Sequence, residues 1–389
     1  MPFPSVTQSR SAPFVARRVA FDDIRRADWD RLLAATASPT PFSRWTFHRA
    51  WWDAYGATAH EEYLLLADRA AGETRAIVPL MHRHEVEADD ASTHTVVREH
   101  APRCAPVDGQ AMAIMFGASY HADYATALAA PEDLGAAAVT LAHALADESQ
   151  LFDGDALWDV VDLRRLRGMD PSLPALDAAM RAVGEDHGWR TNCEEEDVCP
   201  VVTVRGDTWD EYLATLEKSD RHEIRRKMRR AATVGSLAIE IVPPSPEVIE
   251  DFISLHDQRF GEDGLFPDNE GGRRSRLFVQ RLAELEQAEG PSCQLHVARV
   301  TCGAALIFTL LAFDDGQTCF MYNGGMDPEA RQASPGVTGV GMYFQDRIAA
   351  GRRRFDFLRG NERYKYEWGA VDEPIFRLLV QRGSAATGS

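Results

Sequence analysis

Long apolar runs are missing from this chain. The longest, Ala304 to Phe313, is interrupted by Thr309 and stops at Asp314-Asp315. That is far short of the roughly 20 residues that span a bilayer, so it reads as a core strand and no membrane insertion is expected. The N-terminal stretch Met1 to Pro13 holds Pro and Ser but no apolar core. It reads as a loose tail and not as a signal peptide, which points to the cytoplasm. Cysteine is sparse: Cys104, Cys193, Cys199, Cys293, Cys302 and Cys319, with no CxxC pair and no zinc-finger spacing. Scattered buried thiols in a reducing compartment are expected, and no metal. Basic charge is short too. Against 60 acidic side chains stand 42 basic ones, a net charge of −18. This disfavours DNA or an anionic membrane as a general partner, while leaving room for a local basic patch that suits a phosphate-bearing ligand. Also absent are GxSxG, GxxxxGK[ST], HExxH and GxGxxG. Metal hydrolases, P-loop enzymes and dinucleotide oxidoreductases are therefore unsupported.

What is present is ordinary globular composition, 45% hydrophobic and 26% charged over 389 residues. Two domains are the default at this length. An α/β (α+β) N-terminal domain over residues 14–167 and a second over 175–383 are expected, with short tails at 1–13 and 384–389. In the first, Trp29 to Ala37 (with Asp28 as N-cap), Ser43 to Tyr55 and Leu134 to Ala146 read as helices. Tyr63 to Ala67 and Ala76 to Met81 read as a hairpin, and Met112 to Phe116 and Ala156 to Leu163 as strands. His82 to His100 is polar and patternless, a loop or irregular excursion. The Pro- and Gly-containing stretch Gly168 to Pro174 marks a boundary. In the second, Leu176 to His187, Trp209 to Gly235 (with a break near Ser219-Asp220), Glu247 to Phe260, Arg274 to Gln287 and Thr338 to Ala350 read as helices. Val201 to Val204, Arg354 to Leu358 and Ile375 to Val380 read as strands. Gln294 to Val300, Ala304 to Phe313 and Thr318 to Asn323 form an antiparallel meander through tight turns. Both halves thus read as helices, then hairpin or meander, then helix and strand, although no residue-level repeat is visible.

Several constellations carry chemistry. The segment CFMYNGGMDPEARQASPGVTG (Cys319 to Gly339) leads from a strand to a helix start. Glycines let a ligand approach the backbone, helix-start amides attract phosphate, and Arg331 adds a bidentate contact. A plain strand-to-helix loop would look similar. The segment FDFLRGNERYKYEW (Phe355 to Trp368) places Asp356, Tyr364 and Lys365 beside a sheet end, suited to proton transfer or oxyanion binding, or else to a solvated turn. The run KSDRHEIRRKMRR (Lys218 to Arg230) stacks Arg221, Arg225 and Arg229 on one helix face, either a phosphate site or a solvated face. In LHDQRF (Leu255 to Phe260) helical spacing puts His256 and Arg259 on one side. Trp45, Trp51 and Trp52 form an aromatic stripe, read as core and as a possible cleft wall.

Taken in order and spacing, SPG (Ser334 to Gly336), FDFLRGNERYKYEWG, PFSRWTFHRAWWDAYG (Pro41 to Gly56), the Asp123-Tyr124 pair, SDRHEIRRKMRR and LHDQRF resemble the Fem-like acyltransferases, and more closely the CelD/BcsL-like GNAT branch. The resemblance covers about residues 28 to 380. It implies two tandem GNAT-like domains, each a mixed, mostly antiparallel sheet flanked by helices. It implies N-acyl transfer, with acetyl-CoA or another acyl-CoA as co-substrate, to a small-molecule or glycan amine in a setting such as cell-envelope or polysaccharide metabolism. In GNAT folds two neighbouring strands splay and the donor fills the gap; here these would be Thr318 to Asn323 and Arg354 to Leu358. The donor would contact Tyr322, Asn323, Arg331, Ser334, Gly336 and Gly339. Ser334 stands where the general GNAT loop has its first glycine. Asp356 would serve as base, a backbone N–H near Tyr322-Asn323 or Lys365 as oxyanion donor, and Tyr364 as proton donor to the leaving thiolate. Asp123, Tyr124, Arg221, Arg225, His256 and Arg259 would line the acceptor cleft. Two alternatives stay open: an aminoacyl-tRNA-dependent peptidyltransferase, which the acidic surface disfavours, and a non-catalytic scaffold that binds a glycan or nucleotide-sugar.

Overall fold

A computed structural model describes residues 12–61, 63–83, 111–147 and 158–382. Most of the expected N-terminal tail, the polar stretch from residue 84 onward, Cys104 and the tail 384–389 lie outside the described residues. The chain opens with β1 (Val15–Val19), α1 (Arg26–Ala35) and α2 (Trp45–Tyr55). Next come β2 (His60–Glu61), β3 (Tyr63–Ala67), β4 (Thr74–Val78), β5 (Leu80–Arg83), β6 (Ala113–Phe116) and β7 (Leu128–Ala129). Then α3 (Leu134–Ala146), β8 (Val160–Arg167), α4 (Ser172–His187) and β9 (Arg190–Thr203) follow. The second half holds α5 (Trp209–Thr215), α6 (Lys218–Val234), β10 (Leu237–Val242), α7 (Pro246–Phe260) and α8 (Glu270–Ala288). It closes with β11 (Leu295–Cys302), β12 (Ala305–Asp314), β13 (Thr318–Met326), α9 (Pro335–Ala349), β14 (Arg354–Asp356), α10 (Arg363–Tyr366) and β15 (Val371–Gln381).

Local chemistry explains the boundaries. Gly188 takes the left-handed conformation that ends α4, as an αL C-terminal residue does. Thr208 and Glu211 form a reciprocal capping box at the start of α5. Pro246 sits in the first turn of α7, where its missing N–H costs nothing. The long basic helix breaks at the extended residues Leu216 and Glu217, two residues before the expected point. Three strands have little sequence signal. β1 and β10 alternate half-buried and exposed residues. The first half of β9 is charged, yet it pairs along the whole of β15.

The architecture is α+β, with one antiparallel sheet and one mixed, mostly antiparallel sheet. A four-stranded sheet runs β1-β3-β4-β7. An eleven-stranded sheet runs β10-β11-β12-β13-β14-β9-β15-β8-β6-β5-β2. Its order is close to a palindrome about the β9–β15 pair. β8 leads through α4 to β9, which pairs beside β14; β14 leads through α10 to β15, which pairs beside β8. Each half thus supplies a strand next to the other half's sheet, and the two sheets expected from the sequence are fused. One apolar core also crosses between the halves, joining Phe42, Phe47 and Trp51 to Phe278, Leu311 and Phe313. At its margin the fully buried Glu286 accepts from Arg44 at 2.9 Å, from the Gln294 amide at 3.0 Å and from the Thr46 hydroxyl.

Candidate active site

The two halves share one device at different stages of completion. β13 and β14 pair in parallel over three positions, Thr318, Cys319 and Phe320 with Arg354, Phe355 and Asp356. Past that point they part. The chain after Asp356 stays with β9, since the Phe357 amide donates to Pro200 and the Gly360 amide to Val198. β13 continues to Met326 with β12 alone. Tyr322 is an extra residue there, because Leu311 pairs with Asn323 and Ala312 with Met321. Such bulges re-aim backbone groups beside functional sites. The result is a slot whose β13 wall, Tyr322 to Gly324, is half-buried with one backbone edge unpaired among the described residues.

The N-terminal half starts the same way. β6 and β8 pair in parallel over Ala113, Ile114 and Met115 with Val160, Val161 and Asp162. Its slot is closed by the chain itself. Residues 117–127 leave the end of β6, Ala125 bridges Leu166 in parallel, and its amide donates to the Arg165 carbonyl at 3.0 Å. Leu128 and Ala129 then resume pairing with β4. This closing segment carries Asp123 and Tyr124 across to the second half. Asp123 lies 3.4 Å from the Arg359 guanidinium. The Tyr124 hydroxyl donates to Asp356 at 2.8 Å.

Asp356 therefore lies beneath the slot rather than in it. It is 0% exposed, and its other oxygen accepts the Leu358 amide at 2.8 Å. Burial pushes its carboxyl up to about 6, while the Tyr124 and Leu358 hydrogen bonds pull the other way. In this geometry the expected base does not touch substrate directly, and its two oxygens hold Tyr124 and the Leu358 amide. Lys365 is corrected more sharply. It is 3% exposed, and its ammonium donates to the carbonyls of Leu358, Arg359 and Gly360 at 3.1, 2.8 and 2.9 Å, with Glu362 at 2.9 Å. An ammonium has three protons, so none remains for an oxyanion. It holds the turn in which Leu358 adopts φ 57. Tyr364 is 47% exposed and stands edge-on to Phe357, with ring centres 6.0 Å apart, at the slot's β14 side.

The donor-loop residues divide. Ser334 takes φ 48 immediately before α9 and makes no side-chain cap. The amides of Gly336 and Val337 have no hydrogen-bond partner among the described residues, whereas the Thr338 amide already donates to Ser334. Arg331 is exposed and bonds only the Pro328 carbonyl, at 3.1 Å. Gly339 does not belong to this cradle. A Cβ there would fall 2.2 Å from the Phe308 ring, so this glycine lets α9 lie against β12. At Gly336 the nearest atom is the end of the Met326 side chain, at 3.0 Å. Tyr322 turns away from the slot and donates to the His121 carbonyl at 2.9 Å, and the Asn323 side chain accepts the Gly324 amide.

The acceptor candidates are not gathered in one place. Arg225 pairs with Asp210 and Arg221 donates to Ala214, so both serve the α5–α6 corner. His256 and Arg259 lie on the helix that packs against the slot's β13 wall, His256 buried and Arg259 exposed. Gly325 lets the α7 backbone sit directly on β13, since a Cβ there would meet His256 N at 2.6 Å. The next turn of α7 carries Arg259, with Tyr364 within Coulombic reach. The closing segment and Gly325 are the features that sequence reading missed. The Asp123-Tyr124 pair was the visible signal of the first, and the Asn323-Gly324-Gly325 run of the second. Among the described residues no cluster of His, Cys, Asp or Glu could hold a metal ion, and no helix is long and apolar enough to cross a membrane.

Residues 218–366 match the family described as Acetyltransferase (GNAT) domain. The matched stretch contains the open slot between β13 and β14. The fold as a whole is similar to the crystal structure of FemX, with TM-score 0.57 and 10% identity over 93% of this chain and 96% of that one. It is also similar to a conserved protein of unknown function from Bacteroides thetaiotaomicron VPI-5482, with TM-score 0.54 and 12% identity over 95% and 100%. None of the curated protein sequences matches the chain.

Proposed function

We propose that the chain is an N-acyltransferase that moves an acyl group, acetyl in the first instance, from a coenzyme A thioester to an amine, with cell-envelope or polysaccharide metabolism as the setting. One observation carries this reading: the unpaired edge of β13 beyond Phe320, in the half that matches the GNAT family. The donor's pantetheine amides would hydrogen-bond along that edge as a short extra strand. Its pyrophosphate would meet the free Gly336 and Val337 amides at the start of α9, with Arg331 as a mobile cation beside them. A tetrahedral oxyanion forming near the bulge would take a backbone N–H at Tyr322-Asn323. Tyr364 stands exposed at the mouth, placed to protonate a leaving thiolate. The closed slot of the first half leaves one donor site per chain.

Calorimetric titration with acetyl-CoA, free CoA and dephospho-CoA tests the reading. The expected result is saturable binding with one site per chain, weakened at least ten-fold by Arg331→Ala. No binding of any CoA species removes it. The exposed arginines of α6 support a second donor, aminoacyl-tRNA. In that case binding of tRNA would fall steeply with added salt.

A further inference from the structure

Arg259 is an exposed cation beside the slot. No carboxylate bonds it among the described residues; its guanidinium lies over the Phe260 ring at 4.4 Å. Other arginines of the second half are matched: Arg359 with Asp123, Arg354 with Glu373, and Arg276 with Asp257. With 60 acidic against 42 basic side chains, the chain does not lack partners for an arginine. One turn back, His256 is 3% exposed, and its Nδ1 has no hydrogen-bond partner. That edge of the ring faces Gly264, and Phe252, Phe260 and Phe266 pack around it, so His256 is part of the apolar support beneath Arg259. Phe260 at 36% and Tyr364 at 47% are among the few large apolar or aromatic side chains left exposed, and they flank Arg259.

The position matters as much as the chemistry. Gly325 seats α7 on β13, and Phe357 with Tyr364 belong to the β14 side. Arg259 thus stands exposed on the α7 side of the slot, with Tyr364 of the β14 side within Coulombic reach. A cation here repels the ammonium form of a simple amine. A guanidinium gains most from a carboxylate or a phosphate, either of which it can grip through two parallel N–H bonds.

We propose that the acceptor is an amine that also carries an anionic group, a carboxylate or a phosphate, and that Arg259 holds this group at the slot mouth. This rests on the acyl-transfer reading above. The anion fixes one end of the acceptor, and the aromatic walls guide the amine toward the acyl carbon. The same arginine rejects amines that bear no anion.

The test uses full-length protein carrying ¹⁵N-labelled arginine, with Arg259 assigned by the signal lost in Arg259→Gln. It is titrated with two matched pairs, glucosamine 6-phosphate against glucosamine and phenylalanine against phenethylamine. The expected result is a saturable shift of the Arg259 signal by an anionic member, at least ten-fold tighter than its neutral-tailed partner. Arg259→Gln should abolish that preference, Arg259→Lys should restore part of it, and neither should change acetyl-CoA affinity. The phosphate pair and the carboxylate pair separate the two sources of the anion. The proposal is overturned if neither anionic probe shifts the Arg259 signal, if each binds no tighter than its partner, or if Arg259→Gln weakens acetyl-CoA instead. Loss of the donor reading looks different: no CoA species binds, whatever the Arg259 signal does.

Discussion

The Tyr124 hydroxyl donates a 2.8 Å hydrogen bond to Asp356, a residue 232 positions further along the chain. It ties the segment that closes the first half's slot to the strand end at which the second half's slot opens. Tyr124 itself is buried, and burial beside Asp356 raises its phenol well above the ordinary range, so it donates its proton rather than ionising.

This pair sets a pH signature. In the folded state burial holds the Asp356 carboxyl at about 6, above the roughly 3.9 of an unfolded aspartate. The folded chain then binds a proton that the unfolded chain has released. Its contribution to stability therefore falls as pH rises from about 4 to about 6 and is flat above. Asp356→Asn cannot titrate. Urea denaturation of both proteins should show their stability difference changing by about 2–3 kcal/mol across that window. Parallel curves from pH 4 to pH 8 would contradict the burial argument. Tyr124→Phe should cost about 1–3 kcal/mol, more at pH 8 than at pH 4, because it removes a donor from an ionised buried carboxylate.

Lys365 is structural on this geometry. Lys365→Met leaves three buried carbonyls without their donor and should destabilise the fold by about 2–4 kcal/mol. Turnover per folded molecule should be lowered far less than stability suggests. A variant with unchanged thermal stability and abolished turnover would return Lys365 to the chemistry.

The glycines of α9 separate packing from ligand binding. Gly339→Ala drives a methyl into Phe308 and should cost about 1–3 kcal/mol. Gly336→Ala meets only the flexible end of Met326 and should cost under about 1 kcal/mol. Thermal melts check both. Equal, small effects would mean that α9 is not held against β12 as described.

Glu286 locks α8 to the first half through Arg44 and Thr46. Glu286→Ala strands Arg44 and the Gln294 amide and should cost about 3–5 kcal/mol. Glu286→Gln keeps part of the hydrogen bonding and should cost less. A denaturation curve that splits into two transitions in Glu286→Ala would show the halves coming apart at this contact.

Much of the fold was legible from local patterns. The helix Leu134–Ala146, the strand Tyr63–Ala67 and the three-strand meander were readable because apolar periodicity and turn residues act locally. β9 was only partly readable. Its first half is charged, and what makes it a strand is pairing with β15, nearly two hundred residues away, which no local pattern encodes. The site was legible as residue types and misread as roles. Asp356 and Lys365 look like chemistry in a linear segment, but burial and partner count decide what a carboxylate or an ammonium can do.

The sequence by itself determined the class: alternating helices and strands, a glycine-rich passage into a helix, a deficit of basic charge, and collinear motifs resembling the Fem-like and GNAT acyltransferases. Periodicity, turn chemistry and motif order are properties of neighbouring residues, so they survive in one dimension. Only the tertiary structure decided that the two halves share a sheet, that one slot is closed by its own chain while the other is open, and that α7 lies on the β13 wall of the open one. Those outcomes depend on which backbone edges find partners and which side chains lose water. Both are settled by contacts between segments far apart in the chain.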